Sequence, residues 1–282
     1  MRRWKKILSA SLVAVMVGSL GMTAFAEDTS ANEPIDTTVS NYNLTEEETS
    51  GKNQEEIKAL QQQKIDEVTQ QAYDMKIASN ELENWPEGPA TYGEAGIVME
   101  AKSGAILYAK NIDGKAYPAS ITKIMTALLT IENCKMDEMV TFSDATIHSI
   151  QYGDANMGCS VGEKMTVKDC LYALMLQSAN EVATALGEHI AGSTKNFAEM
   201  MNKRAKEAGA LNTHFANANG LHDPNHYVTA YDMAMITRAA SKYSVFNDIV
   251  NTTTYTIKHN NKRKTDATAI QRHKMVWPTS GY

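Results

Sequence analysis

The sequence of 282 residues has little cysteine and no excess of basic residues. Three cysteines do not make a disulfide framework, so we expect free thiols, although Cys159 and Cys170 could pair. The formal net charge is −6, and no basic tract follows the N-terminal residues. This charge balance argues against nucleic acid as a partner.

The sequence also lacks the ligand spacing of a zinc site. His214, His222, Asp223 and His226 are close in sequence, but their spacing fits no common zinc pattern. A Pro-Asn pair among them is typical of a turn. We therefore expect neither a metal ion nor another cofactor.

Residues 1–26 have the pattern of a secretory signal peptide. Residues 1–6 are basic, residues 7–22 are apolar with small side chains, and Ala24-Phe25-Ala26 precedes an acidic stretch. A retained membrane anchor would need about 20 apolar residues. No cysteine stands at the cleavage point, which argues against a lipid anchor there. We predict export with cleavage after Ala26.

An acidic segment separates this peptide from the folded part of the chain. Residues 27–56 contain nine Asp or Glu and one lysine, a composition that predicts a disordered linker. Apolar residues at helical spacing then predict a helix near 55–80, either a stalk or a strut packed on the domain. The linker and helix occupy 27–90, and the folded domain is predicted over 91–282. It opens with two predicted strands, 96–99 and 105–108.

Ser120 and Lys123 stand one helical turn apart in an apolar segment entered through Pro118. Proline suits the first turn of a helix, and the three-residue spacing places both side chains on one face. A serine hydroxyl needs a base to become a nucleophile, and a lysine can serve only when it is neutral. Burial lowers the pKa of a lysine. By itself the pair also fits an N-cap serine followed by a surface lysine.

Ser178-Ala179-Asn180 lies at the junction of two predicted helices. The apolar stripe of the first helix ends at Leu176, and that of the second begins at Val182. Side chains at such a junction can point into a cleft. Asn180 could instead cap the second helix, and both roles can hold at once.

Together these motifs resemble those of low-molecular-mass penicillin-binding proteins, specifically the serine-type D-Ala-D-Ala carboxypeptidases. The matching segments, in the family's order, are Pro118-Ala119-Ser120-Ile121-Thr122-Lys123, Leu176-Gln177-Ser178-Ala179-Asn180-Glu181, Asn212-Thr213-His214-Phe215, Asn219-Gly220-Leu221-His222 and Thr229-Ala230-Tyr231-Asp232. The resemblance implies a mixed α and β fold of the β-lactamase and transpeptidase type. That fold has an antiparallel sheet covered by helices and a largely helical lobe, with Ser120 at the head of a central helix.

The resemblance also implies roles for five residues. Ser120 would attack the carbonyl between the two terminal D-alanines of a peptidoglycan stem peptide, and Lys123 would take its proton. Ser178 would relay a proton to the leaving D-alanine, and Asn180 would hold the substrate amide. Arg272 matches a family arginine near the substrate site. Backbone N–H groups would meet the oxyanion, and β-lactam antibiotics would trap the same serine.

One family motif, Lys-Thr-Gly on a strand that lines the site, is absent from the sequence. Lys264-Thr265-Asp266 shares two letters with it but lacks the glycine. The family's C-terminal β-rich domain and its membrane-binding helix are absent as well. We therefore expect a truncated chain that releases little D-alanine and lacks the segment through which the family associates with membranes.

Two other functions remain open. A serine β-lactamase would use the same Ser-x-x-Lys pair, but Ala179 replaces the aspartate of those enzymes, and the downstream segments match the carboxypeptidases. A non-catalytic penicillin-binding-like protein would keep the fold without turnover. The carboxypeptidase function predicts work in cell-wall maturation, at the outer face of the cytoplasmic membrane or in the cell wall.

Overall fold

The computed structural model describes residues 12–17, 44–273 and 276–278. The predicted cleavage site after Ala26 and residues 27–43 of the acidic segment lie outside these ranges. The chain divides into two compact units, one from Met1–Tyr117 and Thr229–Ala234, the other from Pro118–Val228 and Met235–Tyr282. Every residue predicted for the active site belongs to the second unit.

The first unit contains an antiparallel sheet with the strand order β1-β2-β3. Its strands are β1 (Leu12–Val17), β2 (Ala95–Glu100) and β3 (Ile106–Lys110). The two strands expected near 96–99 and 105–108 are thus present as β2 and β3. β1 lies in the apolar part of the predicted signal peptide, with Val15 opposite Ile97. A run rich in valine suits a strand as well as the apolar core of a signal peptide, so that assignment stays a prediction.

Local structure begins earlier in the acidic segment than its composition predicts. Helix α1 (Glu46–Thr49) forms inside the range expected to be a linker. A capping box stabilises this helix. The Glu48 N–H donates to Thr45 Oγ1 at 3.2 Å, and the Thr45 N–H donates to Glu48 Oε2 at 2.6 Å. Helix α2 (Gln54–Asp74) follows, with Asn53 as its N-cap, and overlaps the range of the expected helix.

The C-terminal end of α2 is attached to the sheet of the first unit. Lys110, at the end of β3, is fully buried, and its ammonium donates to the carbonyl of Ala72 and, at 2.6 Å, to that of Thr91. Ala72 is the buried residue of α2. Of the two possibilities left open by the sequence, these contacts favour the strut packed on the domain over the free stalk.

The second unit is built mainly of helices. A 3₁₀ turn (Ala119–Thr122) leads into α3 (Lys123–Asn133), whose Met125, Ala127 and Leu128 are fully buried. α3 packs against α5 (Val167–Gln177), α6 (Asn180–Ala191) and α7 (Thr194–Ala208). The remaining elements are β4 (Met139–Thr141), α4 (Asp144–His148), β5 (Lys164–Thr166), α8 (Ala230–Ala240), which runs across the unit boundary, α9 (Ser244–Val250), β6 (Thr254–Ile257) and β7 (Ala267–Ile270).

Two short antiparallel sheets complete the unit, one of β4 and β5 and the other of β6 and β7. The three cysteines are free, as the odd count led us to expect. Among the described residues, no helix combines the length and the apolar character that crossing a membrane requires.

Candidate active site

Ser120 lies in the 3₁₀ turn that precedes α3 rather than in the helix itself. The cap positions of the turn and of α3 are Pro118 and Thr122, and neither side chain makes a capping hydrogen bond. Ser120 is therefore not an N-cap serine. The residue before it, Ala119, has a φ of 47°, which is unusual for a residue with a Cβ.

Lys123 is deeply buried, with 2% of its surface exposed. Burial lowers its pKa to about 7, and the charge of Arg272 acts in the same direction, while the carboxylates of Asp154 and Glu181 oppose it. A lysine with this pKa is partly neutral at neutral pH. The surface-lysine alternative weighed for the sequence is therefore wrong.

Three groups surround the Lys123 Nζ at hydrogen-bond distance. They are Asn180 Oδ1 at 2.7 Å, the Asn219 carbonyl at 2.7 Å and Ser120 Oγ at 3.1 Å. The first two are oxygens that can only accept. A neutral amine has two N–H donors and one lone pair, so these acceptors occupy both donors and leave the lone pair for the Ser120 hydroxyl. The arrangement can remove a proton from Ser120.

Asn180 is the first residue of α6, and the N-cap position belongs to Ala179, which makes no side-chain cap. The capping role considered for Asn180 is thus not the one in the structure. Its side chain is 5% exposed, and its Oδ1 is held by Lys123. Since the oxygen is occupied, the side chain can meet another molecule through its Nδ2 amide.

Ser178 stands at the C-cap of α5 in the left-handed conformation, with φ 60° and ψ 31°. Its Oγ is buried and has no hydrogen-bond partner among the described residues. It therefore makes no hydrogen bond to Ser120 or Lys123, although the family resemblance implies that all three belong to one active site. A buried hydroxyl without a partner carries a desolvation cost, and a ligand that bonds it would remove that cost.

Arg272 follows β7 and is exposed. Its charge contributes to the lowered pKa of Lys123, which places it within electrostatic reach of the site. Within the described ranges, it has no hydrogen bond to Ser120, Lys123 or Asn180. The structure thus joins Ser120, Lys123 and Asn180 directly, and leaves Ser178 and Arg272 outside this hydrogen-bonded cluster.

Reasoning from the residues missed Asn219, whose contact with Lys123 runs through its backbone carbonyl. Every residue has a backbone carbonyl, so the identity of residue 219 does not indicate this contact. The Asn219-Gly220 segment was noticeable only through the family resemblance.

The histidines considered as metal ligands have other partners. His226 Nε2 lies 2.9 Å from Thr122 Oγ1, and His214 Nδ1 lies 2.6 Å from the carbonyl of Asn225. Burial lowers the pKa of His226 to about 4. Among the described residues, one other group of possible ligands occurs, Cys134, Glu138 and His189, whose ligand atoms lie within 4.8 Å of one another. This group begins at the end of α3 opposite to Lys123.

Comparison with known proteins decides the family. A sequence model of the D-alanyl-D-alanine carboxypeptidases, peptidase family S11, matches residues 83–280. The chain belongs to this family. Among curated relatives, it is 36% identical over 176 residues to the D-alanyl-D-alanine carboxypeptidase DacF of Bacillus subtilis, and the match covers 61% of this chain and 44% of DacF. It is 35% identical over 161 residues to DacC of Escherichia coli, covering 54% and 40%. The chain thus spans about half the length of these relatives or less.

Solved structures of the family agree with the fold. The Streptomyces K15 DD-transpeptidase superposes with a TM-score of 0.60 at 32% identity, covering 65% of this chain and 74% of that one. Penicillin binding protein 6B from Escherichia coli superposes with a TM-score of 0.63 at 26% identity, covering 70% and 63%. The predicted fold class, mixed α and β of the transpeptidase type with antiparallel sheets, is confirmed.

Proposed function

We propose that this family member is a serine-type D-Ala-D-Ala carboxypeptidase that forms an acyl-enzyme on Ser120. The observation that carries the proposal is the environment of Lys123. Its buried amine has two acceptors at 2.7 Å and the Ser120 hydroxyl at 3.1 Å. Family membership supplies the substrate class, a stem peptide of peptidoglycan that ends in D-Ala-D-Ala, and β-lactams as inhibitors.

In the proposed reaction, the neutral Lys123 amine accepts the proton of Ser120 as Oγ attacks the carbonyl between the two D-alanines. The Asn180 Nδ2 amide donates to a carbonyl of the substrate while Oδ1 stays on Lys123. The C–N bond then breaks, and the proton that Lys123 took from Ser120 passes through the Ser178 hydroxyl to the leaving amine of the terminal D-alanine. Water hydrolyses the ester on Ser120 and releases the shortened peptide.

Two further groups are assigned by proposal. The exposed Arg272 would attract the carboxylate of the substrate, because a guanidinium matches a carboxylate in charge and geometry. The N-terminal 26 residues would direct export, so that the protein works at the outer face of the cytoplasmic membrane or in the cell wall. The charge and apolar pattern of residues 1–26 supports this location.

The test is to label the chain with a fluorescent penicillin and to map the modified peptide by mass spectrometry. We expect the adduct on Ser120 and no adduct in Ser120→Ala. Ser149→Ala, which removes an exposed serine of the second unit, is a control and should keep the label. An adduct on another serine, or full labelling of Ser120→Ala, would exclude Ser120 as the nucleophile.

A further inference from the structure

A loop of residues 217–221 lies against the turn that carries Ser120. It is anchored to α3, because Thr126 Oγ1 donates to the Ala218 carbonyl at 2.6 Å and Lys123 Nζ donates to the Asn219 carbonyl at 2.7 Å. It is also anchored to α6, where Asn219 Nδ2 donates to Thr184 Oγ1 at 3.3 Å. These bonds attach the loop to both helices that supply the hydrogen-bonded cluster.

The 217–221 loop is closed by its own side chains. The Gly220 N–H donates to Asn217 Oδ1 at 2.7 Å, and Asn217 Nδ2 donates to the Leu221 carbonyl at 2.9 Å. The Leu221 N–H donates to Asn219 Oδ1 at 2.9 Å. With its polar groups bonded internally and to two helices, the loop is a fixed surface for the neighbouring turn.

Gly220 is where the loop meets the Ser120 turn. Its φ is +88°, and a Cβ added to it would lie 1.9 Å from the carbonyl oxygen of Ala119 and 2.5 Å from the carbonyl carbon. Both are backbone atoms, so the clash could not be relieved by a side-chain rotation. Ala119 itself has a φ of 47°. A residue keeps such a conformation only when its surroundings fix it. The Ala119 carbonyl can lie against residue 220 only because glycine has no Cβ.

A second contact fixes the other end of the same turn. Thr122 is fully buried, and its Oγ1 lies 2.9 Å from His226 Nε2. The Ala216 N–H points to His226 Nδ1 at 3.4 Å, so Nδ1 is the acceptor and the proton sits on Nε2. His226 therefore donates to Thr122, and the turn is held at Ala119 and at Thr122, on both sides of Ser120.

We propose that the 217–221 loop, with His226, is the positioning element of acylation: Gly220 and His226 fix the turn that aims Ser120, and the Asn219 carbonyl aims Lys123. The proposal rests on Ser120 as the nucleophile. In this proposal, Gly220 and His226 act through their contacts with the turn, as positioning residues. Displacing catalytic atoms by about 1 Å can cost 10²-fold in rate, so small changes in this loop should have large effects.

The test compares Gly220→Ala with Gly192→Ala in the full chain. Gly192 also has a positive φ, +75°, but nothing lies within 4 Å of its added Cβ. Both variants therefore impose backbone strain, and only Gly220→Ala adds the clash. We expect acylation by fluorescent penicillin to fall about 10²-fold in Gly220→Ala and to stay near the wild-type rate in Gly192→Ala. Equal rates in the two variants would overturn the proposal.

A second readout does not depend on penicillin. In a Ser120→Cys background, the Lys123 amine should accept the proton of the new thiol and pair with the thiolate, which lowers the thiol pKa. The pKa is obtained from the pH dependence of the reaction with iodoacetamide, followed by mass spectrometry of the peptide that contains residue 120. Gly220→Ala should raise that pKa toward its ordinary value of about 8.5, and Gly192→Ala should not. An unchanged pKa in Gly220→Ala contradicts the positioning role. If the wild type forms no penicillin adduct, the proposed function fails, and this comparison still decides the role of the loop.

If Gly220→Ala does not fold, two variants of Thr122 test the proposal instead. Thr122→Val keeps the shape and removes the hydroxyl that His226 bonds, whereas Thr122→Ser keeps the hydroxyl. We expect Thr122→Val to lose about tenfold or more in acylation rate and Thr122→Ser to retain most of it. Equal rates in these two variants would show that the hydrogen bond between His226 and Thr122 does not position Ser120.

Discussion

At the scale of single residues, the site depends on how a polar group is buried. Lys123 is enclosed by acceptors and is buried, and burial lowers its pKa to about 7, so that its amine is partly neutral at neutral pH. The spacing and apolar context in the sequence predict that Ser120 and Lys123 lie together, and Lys123 Nζ is 3.1 Å from Ser120 Oγ in the structure. The sequence could not indicate the Asn219 carbonyl or the Gly220 contact, because these depend on where the backbone of a distant segment passes.

His226 gives a residue-scale prediction about stability. Its pKa in the folded protein is about 4, below the ordinary value of about 6.5, because burial disfavours the charged ring. Between these values the unfolded chain binds a proton that the folded protein does not. The free energy of unfolding should therefore decrease as pH falls from about 6.5 to 4, by up to about 3 kcal/mol from this group.

Urea unfolding at pH 7 and at pH 4.5 measures this effect. In His226→Gln the side-chain amide can still donate to Thr122, but it does not titrate. We expect the loss of unfolding free energy between the two pH values to be smaller in His226→Gln than in the wild type. An equal loss in both proteins would show that His226 is not the titrating group.

At the scale of elements, periodicity predicted α2 and the two helices that meet at Ser178-Ala179-Asn180, since burial of one face governs them, and short apolar runs predicted β2 and β3. Periodicity missed α4, because five residues are too few for a period; the helix depends instead on Ser143, whose Oγ accepts from the Thr146 N–H at 2.9 Å. It also placed Ser120 in a helix, whereas that segment is a 3₁₀ turn in which Ala119 has a positive φ. Such boundaries follow from tertiary contacts that a local pattern does not contain.

Lys110 gives an element-scale prediction about α2. Its ammonium joins the carbonyls of Ala72 and Thr91, and hydrogen bonds to charged groups contribute about 1.5–3 kcal/mol each. Lys110→Met should therefore loosen the C-terminal end of α2. We expect faster proteolysis near residues 72–81 and a lower free energy of unfolding.

The matched control is Lys58→Met, which changes an exposed lysine on the same helix. It should leave both the proteolysis rate and the unfolding free energy close to those of the wild type. Equal behaviour of the two variants would mean that Lys110 does not attach α2 to the sheet.

At the scale of the whole molecule, five short motifs were enough to identify the family. Three of them, the segments that contain Ser120, Asn180 and Asn219, contribute groups to the hydrogen-bonded cluster around Lys123. The family match over residues 83–280 and the transpeptidase fold confirm this part of the prediction. The boundary between the two compact units at Tyr117 was not predicted, because no linker composition marks it.

Residues 12–17 form a strand of the first unit, and they also lie in the apolar core of the predicted signal peptide. Export with cleavage predicts that mass spectrometry of the secreted protein finds Glu27 at its N-terminus. It also predicts that a chain starting at Glu27 is acylated as fast as the full chain. Secreted protein that still begins at Met1 would contradict the signal-peptide assignment.

The central claim is that a neutral Lys123 activates Ser120, and the pH dependence of Ser120 acylation tests it most directly. Because only the neutral amine can accept the proton, the second-order rate with fluorescent penicillin should rise with pH and level off above a midpoint of about 7. A guanidinium stays charged throughout this range, so Lys123→Arg should be slower by a factor of about 10² or more and should show no such rise. A wild-type rate that is flat from pH 5.5 to about 8.5, or near-normal acylation in a folded Lys123→Arg protein, would contradict the account.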